Sequence, residues 1–553
     1  MSTITETITA TDQIELQQPF KTTIRTPSTQ QSRASFGPPN NSGHSGAESP
    51  SDDVRKKRSN LDIFFTVFTP SFVGFLASFS NGVITVGLPI IARSIQLERS
   101  LYLWPSSVYG LTSGAALLIA GSIADIVGAR TIELLGITLL GVFSLACGFA
   151  QTGAQLVAFR ALQGLALALH LPASVAIITG AVPAGRARNL GFACLGFSQP
   201  LGFAVGLVLS GVMIEQAGWR SGFYLSGSCL LAVSLAAMWT LPKLTTRTPR
   251  TTPLSLLKKV GTQIDWIGGI ISSTGLALLA YILALLSADL TTIRTPTTIA
   301  LLTTSILLLA AFPCWMHHRT RTHRPALVPN ALWSNIPFTS TCIMVALSSG
   351  VMNSIEVFSS LYFQEIQHAN TLTTSLYLLP NLAAGVAINI SMGFFVHRVA
   401  ARWLVAGSTI VCAASPLIMA LMPPDWKYWY LAFWAQVFAP FSGDVLYTVG
   451  LIIVSGSFPE DTQALAGAVF NTVGQFGMSL GMGSCQVVAL GVQGSGSGSG
   501  AEGHGAFDGE VGDRALLRGY RASYWLMFGY MVVCGGIAVA GLRKAGRVGL
   551  KRE

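Results

Sequence analysis

Stretches of about 20 apolar residues, the length that carries a helix across a hydrocarbon core, follow one another almost without pause after residue 60. They lie roughly at 63–91, 103–123, 131–150, 156–180, 190–213, 222–241, 264–287, 298–316, 337–360, 373–396, 403–422, 428–455, 464–490 and 522–542. Only 10% of the residues are charged and 51% are hydrophobic, against about 25% charged in a typical globular protein. Such a chain lacks the polar side chains to cover a soluble surface. In lipid, every backbone N–H and C=O must be satisfied within the chain, and a helix does this segment by segment. The expected fold is therefore an all-α integral membrane protein with 14 transmembrane helices, counted from these runs.

The net charge of +10 is not spread along one soluble face. Basic residues sit at the ends of the apolar runs, so nucleic-acid binding is not expected. With the N-terminus in the cytoplasm, 22 of the basic residues near the membrane fall on inner segments and 8 on outer ones. That bias predicts both termini on the cytoplasmic side. Residues 1–60 are rich in Ser, Thr, Gln and Pro and end near Arg55, Lys56, Lys57 and Arg58; they read as a disordered cytoplasmic tail with a basic anchor. The first apolar run starts too late for a cleaved signal peptide. Asn40 begins a glycosylation sequon on the same inner side, where it is not expected to be used. Residues 494–505 are Gly/Ser-rich and read as a flexible outer loop, in which His504 alone makes no metal site. All 8 cysteines lie in or beside apolar runs, without CxxC spacing, and read as packing residues; no metal site is expected.

A short charged turn separates the second and third runs: Gly121, Asp125, Gly128 and Arg130. It places an acid and a base where hydrocarbon gives way to water, so that each can meet a neighbouring helix end. The spacing returns 272 residues later as Gly393, His397, Ala400 and Arg402, with Arg398 beside them. A membrane motif present twice points to two related halves, a common construction among secondary transporters.

These residues resemble the major facilitator superfamily, and within it the fourteen-span drug:proton antiporters. The match is carried by the 121–130 loop, by Arg160, Gln163 and Gly164 of the fourth run, by 191–211 with Gln199, Pro200 and Gly202, and by 461–475 of the thirteenth. The last stretch is similar to fungal members linked to aminotriazole resistance, low-affinity ammonium transport and borate export. The resemblance implies two six-helix bundles, 61–241 and 326–542, joined by a linker over 242–325 that holds two more spans, with a basic tail over 543–553. It further implies that Gly121, Asp125, Gly128 and Arg130 latch the outward-open arrangement, and that Gly196, Gln199, Pro200, Gly202 and Gly206 form an antiporter-like motif. Two positions depart from the pattern. Ser80 stands where an acidic residue is common, and Gln199 stands where Gly usually precedes the proline.

Charged groups inside the apolar runs must carry a function or a partner, because an ion at the centre of the bilayer costs at least about 2.5–3.5 kcal/mol. Arg160 and Gln163 are candidates for proton coupling, with a tie to a carbonyl or to each other as the structural alternative. Asp444, in Pro440-Phe441-Ser442-Gly443-Asp444, is a carboxylate beside residues that loosen a helix, a place that suits loading and releasing a proton. Glu356 is a second such candidate, unless the outward end of its span leaves it hydrated. Asn353, Asn471 and Gln475 are candidates for the cavity wall, and His170 for a titrating group. The expected function is proton-coupled efflux of a small molecule across the plasma membrane by alternating access. The competing readings are a facilitator or importer of a small polar solute such as ammonium or borate, and a membrane sensor that moves nothing. An enzyme is not expected, since no catalytic constellation gathers on one side. No Walker motif is present, so the expected energy source is a proton gradient without a cofactor, and the expected partners are the bilayer and the substrate of a monomer.

Overall fold

The computed structural model describes residues 60–98, 101–183, 186–242, 259–262, 264–288, 290–322, 324, 326–395, 398–458, 460–495 and 509–544. The N-terminal tail with its basic anchor and Asn40, most of the segment joining the sixth and seventh runs, His397, the Gly/Ser-rich loop beyond Ser495 and the last residues of the basic tail lie outside the described residues.

The helices are α1 (Asn60–Ser94), α2 (Trp104–Val127), α3 (Ala129–Phe149), α4 (Gly153–Ala181), α5 (Arg186–Ala217), α6 (Arg220–Thr240), α7 (Trp266–Ala288), α8 (Pro296–Arg321), α9 (Ile336–Leu361), α10 (Thr371–Phe395), α11 (Ala401–Leu421), α12 (Ala432–Phe438), α13 (Phe441–Ser457), α14 (Glu460–Ser495) and α15 (Gly509–Gly541). Among the described residues, 13 helices are long and apolar enough to cross a membrane, with α12 and α13 counting together as one. α14 matches them in length, but Asn471, Gln475 and Gln486 dilute its apolar character. It covers the thirteenth expected run and completes the set of 14. Two boundaries differ from expectation. α15 starts at Gly509, well before 522, and the twelfth run breaks at Ala439 and Pro440 into α12 and α13. Pro440 lacks the N–H that would continue α12, and it stands as the N-cap of α13.

Helix ends follow local chemistry. Thr152, Thr295 and Asn335 cap α4, α8 and α9 by accepting from the backbone N–H three residues on. α2 and α3 are separated by Gly128 alone, at φ +107, a backbone geometry that a side chain would strain. Within α1 and α5, Pro70, Pro89 and Pro200 sit inside continuous helix.

α1 packs along α5, α2 along α4, and α3 against α4 and α6; α9 packs on α14 and α15, and α11 on α15. Two seams join the N-terminal and C-terminal helices: α2 against α14, and α5 against α10. α7 and α8 pair with each other, and α7 rests on both α2 and α14, with Ser273 Oγ donating to Ala115 O at 2.8 Å. Asp265 caps the start of α7 through Gly268 N–H and also accepts from Trp315 Nε1, each at 3.0 Å. Arg319 lies 3.7 Å from the same carboxylate, tying α8 to the start of α7.

Candidate functional site

Arg160 of α4 is buried to 1% exposure, and its surroundings explain how a cation tolerates that position. Its Nε donates to Pro105 O at 2.9 Å, one terminal nitrogen to Gln163 Oε1 at 2.8 Å and the other to Asn81 Oδ1 at 2.6 Å. The guanidinium lies 4.3 Å from the centre of the Tyr109 ring, a cation–π contact strengthened by the absence of water. All these partners are neutral. Gln163 continues the network to Ser80 Oγ at 3.4 Å, so the residue standing where an acid is common lies one hydrogen bond behind the arginine's own partner. The sequence placed Gln163 beside Arg160. Asn81 and Pro105 come from other helices, and their pairing depends on how those helices are rotated.

The carboxylates gather in the C-terminal helices. Glu356 of α9 accepts from Asn381 Nδ2 at 3.2 Å, while Asn389, near Asp444 of α13, donates its own Nδ2 back to Gly385 O at 3.0 Å. Both carboxamides belong to α10. Eight residues apart, they share one face of it, about two turns from each other. Between them lies Gly385, where a Cβ would come within 2.8 Å of Asp444 Oδ2, so its lack of a side chain makes room for the carboxylate. Glu356 lies within electrostatic reach of Asp444. Glu356 is half-buried and hydrogen-bonded. α9 and α13 are held together here by Ser348 and Ser442, 2.9 Å apart.

The other expected site residues divide. Tyr447, one turn beyond Asp444, donates to Asn471 Oδ1 at 3.0 Å, which connects Asn471 to the carboxylate region. Gln475 lies instead at the α2 seam, where its side chain lies alongside Gly110 and Gly114. Asn353 turns its amide back to Ser349 O of its own helix at 3.0 Å. In the charged turn, Arg130 reaches the end of α6 by donating to Met238 O, Gly121 packs beside Pro172, and Asp125 is exposed. Of the fifth-run motif, Gly202 and Gly206 press against the backbone of Phe75 and Phe79 on α1, while Gly196 has open space around it. Gly196 therefore takes no part in the close crossing of α1 and α5. Gln199 is exposed, with Cγ near Gly74 of α1, and Pro200 is half-buried.

A pair not singled out as such lies in the N-terminal helices. His170 Nδ1 of α4 is 2.9 Å from Glu133 Oε1 of α3, and both side chains have 0% exposure. His170 stood out in the sequence, but Glu133 did not, because it sits only one turn from a charged loop and reads there as a boundary residue.

The cleft between the two groups of helices is closed at one end. On α5, Gly211 is buried against Leu372 and Ser375 of α10, and Leu207 belongs to the same apolar core as Val86, Leu88, Leu103 and the C-terminal helices. Ala193 lies 18 residues before Gly211, about five turns away and on the same face, and it is exposed. On that face burial falls from Gly211 and Leu207 through half-buried Pro200 to exposed Phe197 and Ala193. α10 repeats the gradient, from buried Ser375 through half-buried Leu382 to exposed Asn389. The seam is shut near Gly211 and open near Ala193, with Asp444 and Asn389 toward the open part.

This geometry agrees with comparisons to known proteins. Residues 71–482 match the sequence pattern of the Major Facilitator Superfamily. MFS-type transporter 1 of Pyricularia oryzae is 38% identical over 96% of this chain and 92% of its own length. The efflux pump terG of Aspergillus terreus is 28% identical over 77% of this chain and 76% of its own, and the low affinity ammonium transporter of Saccharomyces cerevisiae is 26% identical over 77% and 78%. Among solved structures, the peptide transporter POT in complex with sulfate superposes with a TM-score of 0.62 at 16% identity, covering 87% of this chain and 95% of that one. A bacterial homolog of the human lysosomal transporter Spinster superposes at 0.61 with 14% identity, covering 88% and 98%; likenesses this distant show the fold alone. With the family pattern running from α1 into α14, the chain belongs to the Major Facilitator Superfamily.

Proposed function

We propose that this transporter exports a small molecule across the plasma membrane against protons moving inward, by alternating access of the cleft between α1–α6 and α9–α15. The observation that carries the reading is the pair Glu356 and Asp444, set within electrostatic reach of each other and both against α10, where Asn381 donates to Glu356 and bare Gly385 makes room for Asp444. Two negative charges in a half-buried site repel each other more than they would in water, and one proton removes the repulsion. Asn381 steadies Glu356, and the hollow at Gly385 seats Asp444, while that proton comes and goes. Arg160, fixed by neutral acceptors, supplies a permanent positive field on the other side of the cleft. The basic residues around α1, the α2–α3 turn and the end of α8 favour cytoplasmic termini, which makes the open end the cytoplasmic one. The working unit is a monomer in the bilayer, driven by the proton gradient without a bound cofactor. Relatives named as efflux pumps support export.

Buried Ser80 favours a second reading. Without an acid there, the N-terminal helices lack one carboxylate for coupling, as in a facilitator of a small polar solute, and one relative is named as a low affinity ammonium transporter. Efflux of a panel of small solutes from reconstituted vesicles, with and without an imposed proton gradient, separates the two. Solute movement that follows the gradient supports the exporter. Movement indifferent to the gradient overturns it in favour of the facilitator.

A further inference from the structure

At the closed end, the first turn of α10 is held by both sides of the cleft. Asn370 Oδ1 accepts from Thr373 N–H at 2.8 Å, an ordinary cap from α10's own side. The neighbouring donor, Leu372 N–H, is taken at 3.2 Å by Glu215 Oε1 from the last turns of α5. Ser375 fills the hollow left by Gly211 next to this contact, and Gln364 Nε2 crosses the same end to Val86 O at 2.9 Å. A carboxylate facing the N-terminus of a helix gains from the partial positive charge there as well as from the hydrogen bond. None of these groups belongs to the carboxylate pair or to the Arg160 network.

We propose that Glu215 is a positioning residue of the transport cycle: its carboxylate pins the start of α10 to α5 and keeps this end of the cleft shut. To open the end, Leu372 N–H and Glu215 must part and find water. The N-terminus of α10 then keeps the Asn370 cap and loses only the contribution from the opposite side. The contact thus sets the balance between the two orientations while leaving α10 itself capped.

The test is thiol labelling of the full chain in vesicles, after replacing the exposed or half-buried Cys194, Cys229 and Cys314 by serine. Ala193→Cys reports the open end and Ser375→Cys the closed one. Release of the latch in Glu215→Ala and Glu215→Gln is expected to slow labelling at 193 and speed it at 375. The ratio of rates should move about two- to fivefold, the span of a helix-end charge interaction, and by less in high salt. Asn370→Ala should leave the ratio at its wild-type value. A ratio unchanged in both Glu215 variants overturns the assignment, and so does an equal shift in Asn370→Ala. The inference rests on alternating access, and the unmodified Glu215 background checks that separately. Rates at 193 and 375 moving in opposite directions when a proton gradient is imposed support the cycle, and rates that move together or not at all refute the cycle itself.

Discussion

Gly202 and Gly196 lie six residues apart on α5 and make opposite predictions for the same substitution. At Gly202 a Cβ would come within 2.7 Å of the Phe75 Cα and carbonyl carbon, whereas at Gly196 nothing lies within 4 Å. Ordinary contact begins at 3.4 Å and the Phe75 carbonyl oxygen lies nearer still, so in Gly202→Ala the two helices must part by more than about 0.7 Å, and a gap of that size already forfeits about a quarter to a half of each contact's attraction along the crossing. Overpacking of this kind costs about 1–3 kcal/mol. The better helix propensity of alanine returns about 0.5–1 kcal/mol, leaving a net loss of about 0–2.5 kcal/mol. Gly196→Ala keeps only the gain, about 0.5–1 kcal/mol of added stability. Packing rather than water exclusion decides helix association in lipid, so the effect should appear directly in unfolding by SDS titration in mixed micelles. The Gly82 and Gly206 backbones meet farther along the same crossing, and Asn81 precedes Gly82; Gly202→Ala is also expected to disturb the Asn81 bond to Arg160. A Gly202→Ala protein as stable as Gly196→Ala would refute the claim that this crossing needs bare backbone.

Three further outcomes follow from buried polar groups. Glu133→Ala leaves His170 Nδ1 without its partner in a site of 0% exposure and is expected to cost about 1–3 kcal/mol in the same titration; a loss too small to detect would show that water reaches the site. Arg160→Lys cannot serve Pro105 O, Asn81 and Gln163 in the fork geometry seen here. Its solute flux should fall at least about tenfold, the effect of leaving about 1.4 kcal/mol of this network unmade, and wild-type flux would remove Arg160 from the mechanism. Asp265→Ala removes the cap of α7 and the anchors of Trp315 and Arg319; a loss of about 1 kcal/mol is expected, with protease sensitivity rising near the start of α7, and unchanged cleavage there would contradict the tie.

The apolar runs made the spans legible because length and polarity are one-dimensional properties. α14 was legible too, although its polar residues dilute it, since its flanks and neighbours fix its place. The break at Gly128 could be read from backbone chemistry alone, whereas at Pro440 the sequence showed a loosened helix and the split into α12 and α13 went unread. What pairs with what was less legible. Asp444 and Glu356 each stood out as a carboxylate in an apolar run, yet their relation depends on α10 presenting Asn381, Gly385 and Asn389 on one face. Rotation of one helix against another is not written in its period. The same reason hid Glu133 behind its loop, left Gly196 looking like its packed neighbours, and put Gln475 at the α2 seam away from Asn471. Glu215 escaped notice because a carboxylate at the end of a span is ordinary until the first turn of α10 is set against it.

The most direct test of the central claim is gradient-driven efflux measured beside solute exchange, in the same vesicles, for wild type and Asp444→Asn. If the Glu356 and Asp444 pair carries the proton, the variant loses accumulation driven by the gradient but still exchanges solute across the membrane, since its cleft still alternates. Gradient-driven efflux that survives in Asp444→Asn at the wild-type rate would contradict the account.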